Sequence, residues 1–229
     1  MQETLNFGKS EIEKLEKVLA KFEKAGTTNY FEHQRAKHQG CTITLYTSGK
    51  ISIQGTNATK VKEEIISLMN LKQELTIGID ETGRGERDGP MVITGILGDN
   101  NELREVRDSK KTSDIAKKEK IVSEKMLGSV TVTLNAKLID LIRNNGKNLN
   151  QLEAETIEKI SEILTGYLDA KTIVDGAPLK VNNKKIIFEP KADDNVATVG
   201  AASIIAKHAR NNSNDKEERK TWKKKEEVK

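Results

Sequence analysis

GIDETGRGERDGP, residues 78–90, places two adjacent carboxylates, Asp80 and Glu81, at the end of an apolar run and directly before a glycine-rich loop. A loop that binds a dinucleotide phosphate follows the spacing G-x-G-x-x-G, and here the third glycine comes one residue too late. The two carboxylates would also repel a pyrophosphate unless cations lay between them. The stretch therefore predicts a cation-dependent site rather than a dinucleotide-binding loop.

The composition limits the classes of protein to which this chain can belong. Its 229 residues are 35% hydrophobic, which is enough for one large or two modest domains, and we expect two. Lys and Arg number 39 against 35 Asp and Glu, so the net charge of +4 permits a nucleic-acid partner without requiring one. Cys41 is the single cysteine, which excludes an internal disulfide and a cysteine-rich zinc site and fits a reducing compartment.

The sequence also lacks the signals of membrane proteins. No apolar run approaches the roughly 18 residues of a membrane span, and the N-terminus has no apolar signal-peptide core. We therefore expect a cytoplasmic protein with no membrane partner.

The first 72 residues predict a small α+β unit. Apolar residues at helical spacing follow Ser10, and Gly26 marks the expected end of this helix. Residues 41–55 alternate between apolar and polar around a Ser-Gly pair, so they predict two strands joined by a tight turn. A second amphipathic helix over residues 57–72 would cover the apolar side of these strands.

The rest of the chain alternates between predicted strands and helices. Apolar runs predict strands over residues 75–80, 89–99, 129–139, 170–176 and 184–194. Helical periodicity covers residues 149–168, and small residues over 195–210 favour a helix packed closely on a sheet. This order predicts an α/β domain with a mixed sheet over residues 73–210. The charged tail, residues 211–229, is expected to be a solvated helix or disordered.

Two further carboxylates, Asp175 in TIVDG and Asp193 in FEPKADD, follow short apolar strands. Asp before Gly is also a common turn signal, so IVDG alone predicts only a turn. Strands of one sheet, however, deliver their ends to a common edge, where these carboxylates would meet Asp80 and Glu81. Repulsion within such a cluster favours divalent cations, and two Mg²⁺ or Mn²⁺ ions serve in-line displacement at phosphorus.

These segments resemble the type 2 ribonucleases H, which hydrolyse the RNA strand of RNA/DNA hybrids. The similar motifs are GIDETGRGERDGP, RDSKKTS, VDG and KADDNVATVGAASIIAK, and they span about residues 76–210 in the family's order. TLYTSGKISIQG resembles the TATA-box-binding-protein-like, substrate-binding N-terminal domain of the ribonuclease HIII subtype, and NGKNLNQLEA is also similar to that subtype. The resemblance implies a ribonuclease H-like mixed sheet flanked by helices, with a small α+β N-terminal domain.

The resemblance also implies roles for individual residues. Asp80, Glu81, Asp175 and Asp193 would ligate the two metal ions, and cleavage would leave 5′-phosphate and 3′-hydroxyl ends. The residues that would meet the scissile ribonucleotide are Gly83, Arg84 and Gly85. Candidate contacts to the nucleic acid are Lys110, Lys191, Lys207 and Ser203, although each lysine can equally be an ordinary solvated one, and helix packing explains the serine equally well.

Several alternatives stay open at this point. Arg84 and Asp193 look like the ribonuclease HII subtype, which also incises at a single ribonucleotide embedded in duplex DNA. The chain after Arg210 is shorter than in the HII enzymes, so a hybrid-binding protein with weak or no catalysis is a second alternative. Another nuclease or strand-transfer enzyme of the same superfold is disfavoured by the glycine loop. We expect a monomer with no obligatory protein partner.

Overall fold

The computed structural model describes residues 2–8, 11–107 and 115–222 of the chain. The chain divides into two compact units, Met1–Gln73 and Glu74–Lys229. Across the described ranges, none of the helices has both the length and the apolar character needed to cross a membrane.

The first unit is an antiparallel sheet covered by helices. Its strands and helices are β1 (Gln2–Asn6), α1 (Ile12–Leu19), β2 (Glu23–Ala25), β3 (Glu32–His38), β4 (Cys41–Tyr46), β5 (Lys50–Gly55) and α2 (Ala58–Met69). The strands lie in the order β1-β5-β4-β3-β2. Alternate residues of β4 and β5 point inward and form one core with the apolar faces of both helices. The expected α+β unit, its hairpin and its second helix are present.

The beginning of this unit differs from the prediction. The first helix ends at Leu19, not at Gly26, because Glu23–Ala25 pairs with β3 as an edge strand. The ring of Phe22 stacks on His38 with 4.1 Å between ring centroids, so its apolar side chain serves the sheet rather than the helix. Strands β1, β2 and β3 were not predicted because they carry too few apolar residues for a clear alternation. Ser10, the expected helix cap, lies outside the described residues.

The second unit is a mixed sheet with helices on both faces. Its elements are β6 (Leu75–Thr82), β7 (Met91–Asp99), α3 (Arg104–Arg107), α4 (Ile115–Lys125), β8 (Gly128–Leu134), α5 (Ala136–Asn144), α6 (Leu149–Thr165), β9 (Lys171–Asp175), β10 (Ile186–Glu189), α7 (Ala192–Asn195) and α8 (Ala197–Asn211). The strand order is β10-β9-β6-β7-β8, with β6, β9 and β10 parallel and the other pairs antiparallel. The architecture agrees with the expected fold class.

Three predictions about this unit are wrong in detail. Residues 136–139 belong to α5, because Asn135 caps a helix there by accepting a hydrogen bond from the Leu138 amide. Asp193 lies in α7 rather than at the end of a strand. The described part of the tail, residues 212–222, is neither helical nor fully solvated, because the Arg219 side chain is buried.

The two faces of the second sheet carry separate cores. Helix α6 covers the face that contains Ile77 and Ile79, whereas α8, α3 and α4 cover the face that contains Ile96. Gly78 allows α8 to approach β6, since a Cβ atom at this glycine would lie 2.2 Å from the backbone carbon of Thr198. The close approach brings residues of α8 next to the end of β6.

Candidate active site

The adjacent carboxylates Asp80 and Glu81 point to opposite faces of the sheet. Successive side chains of a strand alternate between its faces, so Asp80 shares the α8 side with Gly78 and Glu81 shares the α6 side with Ile79. Asp80 is buried, with 6% of its surface exposed, and Glu81 is half-buried. The end of β6 therefore supplies one carboxylate to each side.

Asp80 lies among other acids on the α8 side. Burial, and after it the negative charges of Asp175 and Asp193, raise its pKa to about 6. Hydrogen bonds from the Ser203 hydroxyl and from the Glu81 amide, the latter 2.8 Å long, oppose this rise. Two of the other predicted carboxylates, Asp175 and Asp193, thus act on Asp80 at one edge of the sheet.

Asp175 and Asp193 are linked through the start of α7. Asp175 ends β9, which runs parallel to β6, and its Oδ1 accepts a hydrogen bond of 2.8 Å from the Ala192 amide. Asp193 follows this residue in α7 and is half-buried. Lys191, the residue before α7, has a left-handed backbone with φ of 62° and an exposed side chain. The lysine is thus close to the acids in sequence and open to solvent.

Glu81 has a different neighbour, Glu153 of α6. Burial, followed by the charges of Glu153 and then Asp80, raises the pKa of Glu81 to about 7. Glu153 is itself buried, and burial raises its pKa against the opposing charge of Arg84. The sequence interpretation missed Glu153, although its position on the apolar stripe of α6, between Leu152 and Ile157, is a signal that this carboxylate faces inward.

The glycine loop begins directly after β6. Gly83 has φ of 81°, and a Cβ atom there would lie 2.4 Å from the Pro90 carbonyl oxygen, so the position requires glycine. The Arg84 guanidinium donates hydrogen bonds to the carboxylate of Glu153 and to the side-chain oxygen of Asn150, both on α6. Gly85 is exposed, with open space around its Cα atom.

Two arginines that the sequence interpretation did not identify hold this loop from the C-terminal side. Arg210, near the end of α8, donates to the carbonyl oxygens of Pro90 and Asp88 at 3.2 and 2.9 Å. Arg219 donates to the carbonyl oxygens of Gly83, Arg84 and Gly89. Both arginines are far from the loop in sequence, so no local pattern indicates these contacts.

The remaining predicted residues are distributed unevenly. Ser203 is buried on α8 beside Asp80, and its hydroxyl oxygen accepts a hydrogen bond of 3.0 Å from the Lys207 ammonium group. Lys207 itself is exposed to solvent. Lys110 lies outside the described residues.

The acidic side chains fit a hard divalent cation in their chemistry. Their donor atoms are carboxylate oxygens, and the repulsion that Asp175 and Asp193 exert on Asp80 is the electrostatic condition that a bound cation relieves. Within residues 2–8, 11–107 and 115–222, no group of three Asp, Glu, His or Cys side chains is arranged to hold a metal ion. The fit therefore rests on donor type and charge.

Comparison with known proteins adds family information to this geometry. A family model described as Ribonuclease HII matches residues 77–227, and one described as Domain of unknown function (DUF3378) matches residues 2–69. The first match extends past residue 210, where the sequence resemblance was expected to end.

Known relatives cover either the second unit or most of the chain. A Ribonuclease HII from Methanosphaera stadtmanae is 37% identical over 57% of this chain and 68% of its own length. A Ribonuclease HIII from Protochlamydia amoebophila is 30% identical over 85% of this chain and 75% of its own length. The crystal structure of Bst-RNase HIII in complex with Mn²⁺ has a similar fold, with a TM-score of 0.55, 20% identity, and coverage of 92% of this chain and 80% of that one.

Proposed function

The chain belongs to the ribonuclease HII family, which makes it an endoribonuclease, and we propose that it hydrolyses the RNA strand of RNA/DNA hybrids with the help of divalent cations. The observation that carries the proposal is the meeting of Asp80, Asp175 and Asp193 at the sheet edge from which the glycine loop begins. A cation-dependent acidic centre and a loop suited to close backbone contact with a sugar thus lie side by side. The products would be a 5′-phosphate and a 3′-hydroxyl.

The acidic side chains would hold the cations. Asp80, Asp175 and Asp193 would do so from the α8 side and Glu81 from the α6 side of the strand end. Mg²⁺ or Mn²⁺ bound there would lower the pKa of the attacking water and neutralise charge on the scissile phosphate. Mn²⁺ has support in the solved Bst-RNase HIII complex.

The glycine loop would recognise the ribonucleotide. Backbone groups at Gly83 and Gly85 can approach a ribose closely, since neither residue has a Cβ atom, and the 2′-hydroxyl is what distinguishes RNA from DNA. Arg84 would orient the substrate from the glycine loop, where its guanidinium is held by Glu153 and Asn150 of α6. Lys191, Lys207 and Ser203 would contact the nucleic-acid backbone near this site, and Lys110 is proposed for the same role from the sequence resemblance alone.

The first unit would bind the hybrid duplex. Its sheet is covered by helices on one face, and the alternate positions on the other face are polar: Gln54 is exposed and Thr42 half-buried there, whereas Thr44 and Ser52 are buried. Deleting residues 1–73 is expected to raise KM with a smaller change in kcat, because binding remote from the reaction contributes equally to the substrate and the transition state. Equal KM values for the full and shortened chains, measured on one hybrid, would remove this role.

A second candidate function is incision at a single ribonucleotide in duplex DNA. The match to the Ribonuclease HII model and the 37% identity to a Ribonuclease HII favour it. The likeness to Ribonuclease HIII over 85% of the chain favours cleavage within a run of ribonucleotides instead.

One experiment tests both candidates. Three labelled duplexes are incubated with the full chain in Mg²⁺, in Mn²⁺ and in chelator: a run of ribonucleotides, a single ribonucleotide in DNA, and DNA alone. Cleavage of the run alone supports the first candidate, and cleavage of both ribonucleotide substrates supports the second. Binding without cleavage in either metal would favour a hybrid-binding protein, and efficient cleavage of DNA alone would contradict the proposed substrate class.

A further inference from the structure

The guanidinium of Arg219 bonds to three backbone carbonyls of the glycine loop. Its donors reach the oxygens of Gly83 at 2.7 Å, Gly89 at 3.0 Å and Arg84 at 3.3 Å. The Arg219 amide also donates to the Arg87 carbonyl at 2.9 Å. Only 1% of the residue is exposed, so this is a buried cation whose charge the loop itself solvates.

A buried arginine at this position lowers stability unless its guanidinium N–H groups are aligned with hydrogen-bond acceptors. Burial and the charge of nearby Arg210 lower the pKa of Arg219, against the opposing charges of Asp215, Glu86 and Asp140. An apolar side chain would avoid that cost but leave one buried carbonyl, that of Gly89, and two partly buried ones with one partner fewer. The planar fork satisfies several acceptors at once, which a lysine ammonium cannot do in the same fixed geometry.

The bonds to Gly83 and Arg84 fix two successive peptide planes. Each carbonyl lies in one plane with the next residue's N–H group, and the described chain has no cis peptide bonds. In a trans peptide the N–H points opposite to the carbonyl. Because Arg219 draws the two carbonyls toward itself, the amides of Arg84 and Gly85 point away from it, toward the other side of the loop.

We propose that Arg219 is a positioning residue for ribonucleotide recognition: it aims the Arg84 and Gly85 amides of the glycine loop at the sugar and phosphate of the substrate. The inference rests on the proposed function, since it names the residue that prepares the proposed recognition loop. It also gives the C-terminal segment, residues 212–222, a role in specificity. The segment crosses the loop as a strap, with an isolated bridge between Asp88 and Glu218.

The test compares Arg219→Met and Arg219→Lys with a matched control, Glu218→Gln. Glu218 is the neighbouring residue of the strap, and its exposed carboxylate pairs with Arg87 without contacting the carbonyls that Arg219 binds. The dissociation constants of a hybrid and of an all-DNA duplex are measured for each full-length protein in Ca²⁺. Hydrogen exchange of the loop amides and thermal melting are recorded on the same samples.

The preference for hybrid over DNA is expected to fall about tenfold in Arg219→Met, the equivalent of losing one to two hydrogen bonds. A smaller fall is expected in Arg219→Lys, and no change in Glu218→Gln. Exchange should increase in residues 83–89 of the arginine variants but not in β7. A role in stability alone would lower the melting temperature and weaken binding of both duplexes equally.

Each outcome decides the inference. Wild-type preference and wild-type loop exchange in folded Arg219→Lys or Arg219→Met overturn it, as does an equal loss on both duplexes. If Arg219→Met does not fold, Arg219→Lys carries the comparison. Failure of the wild-type protein to cleave would contradict the proposed function alone, because the binding preference and the exchange of the loop are measured without cleavage.

Discussion

The two sides of the strand end at β6 place adjacent carboxylates in different surroundings. On the α8 side Asp80 meets a hydroxyl and two other acids, Asp175 and Asp193. On the α6 side Glu81 meets one buried acid, Glu153, whose charge an arginine partly offsets. Burial is the largest cause of the raised pKa on both sides, but the second cause differs. After burial, the next cause that raises the pKa is the charge of Asp175 on the α8 side and the charge of Glu153, which Arg84 contacts, on the α6 side.

This difference separates a centre that concentrates negative charge from a pair that positions a loop. Arg84 pairs with Glu153 on the α6 side and is also part of the glycine loop. A change in the charge of the α6 side should therefore also alter substrate recognition by the loop. On the α8 side the Lys207 ammonium group donates to the Ser203 hydroxyl, which in turn bonds to Asp80, and the charges of Asp175 and Asp193 act on the same carboxylate. Variants on the two sides should therefore fail in different ways.

The largest effect is expected for Asp80→Asn. The change removes a negative charge from the acidic side while keeping the shape, so turnover should fall by more than about a hundredfold, beyond the 10–100-fold range typical of outer-shell partners of a metal. Hybrid binding should be largely preserved. Single-turnover cleavage and a binding titration measure the two quantities.

Asp194→Asn is the matched control for Asp80→Asn, because Asp194 is an exposed carboxylate directly beside Asp193. It should keep most of the activity. Wild-type turnover in Asp80→Asn would contradict the assignment of the α8-side acids to cation binding. Loss of turnover in Asp194→Asn would mean that Asp194, rather than its neighbour Asp193, is the fourth cation ligand.

The next largest effect is on the free energy of unfolding. It comes from glycine substitutions that test how α8 and α6 pack on the two faces of the second sheet. A Cβ atom at Gly78 would meet the backbone of α8 at 2.2 Å, whereas one at Gly95 would meet the Ile160 side chain of α6 at 2.3 Å. Backbone cannot rotate away as a side chain can, so Gly78→Ala should cost about 3 kcal/mol or more and Gly95→Ala about 1–2 kcal/mol. Denaturant unfolding of both variants measures the difference, and equal costs would show that α8 shifts as readily as a side chain.

The sequence predicts many of the strands and the four carboxylates of the site, but not the residues that contact them across long sequence distances. The sequence predicted that the carboxylates meet at one sheet edge, whereas the observed register, with Ile79 paired to Val174, puts Asp80 and Asp175 on one face and Glu81 on the other. The two-unit order and the hairpin also follow from hydrophobic periodicity.

The contacts made across long sequence distances could not be predicted in the same way. Arg219 is a charged residue in a polar segment, and its burial depends on carbonyls 130 to 136 residues earlier in the chain. Polar strands such as β2, at the edge of the sheet, and its neighbour β3 are stabilised by pairing rather than by an apolar pattern, so they leave no periodic signal. Both features depend on tertiary contacts, which a local sequence pattern does not encode.

The metal-free protein should lose stability as the pH rises. Asp80 has a folded pKa of about 6 against an ordinary 3.8, and Glu81 about 7 against 4.5, so the folded state binds more protons between these values. Unfolding is then favoured by rising pH from about 4 to about 7, with about 1.4 kcal/mol for each unit of pKa shift and therefore up to about 3 kcal/mol for Asp80. Melting in chelator across this range measures the loss.

Two comparisons sharpen the pH prediction. Asp80→Asn should reduce the loss of stability with rising pH, because the asparagine side chain does not ionise. Saturating Mg²⁺ should remove most of it, since a bound cation favours the ionised carboxylates. A metal-free stability that increases over this range would contradict the raised pKa values.

The smallest expected effect comes from Glu153→Gln, which changes the α6 side alone. The Glu153 charge is the second cause of the raised pKa of Glu81, so its removal should lower that pKa and shift the pH midpoint of cation binding downward by about half a unit. The maximum affinity at high pH should fall slightly, because one attractive charge is lost. Calorimetric titration of Mn²⁺ at several pH values separates these two changes.

Glu155→Gln is the control for Glu153→Gln, because Glu155 lies on the same helix and pairs with Lys147 at the surface. Its pH midpoint should be that of the wild type. If Glu153 acted only by holding Arg84, its variant would weaken hybrid binding at every pH and leave the midpoint of cation binding unchanged. A shifted midpoint instead means that the charge of Glu153 reaches Glu81 directly, so the α6 side would tune the acid as well as position the loop.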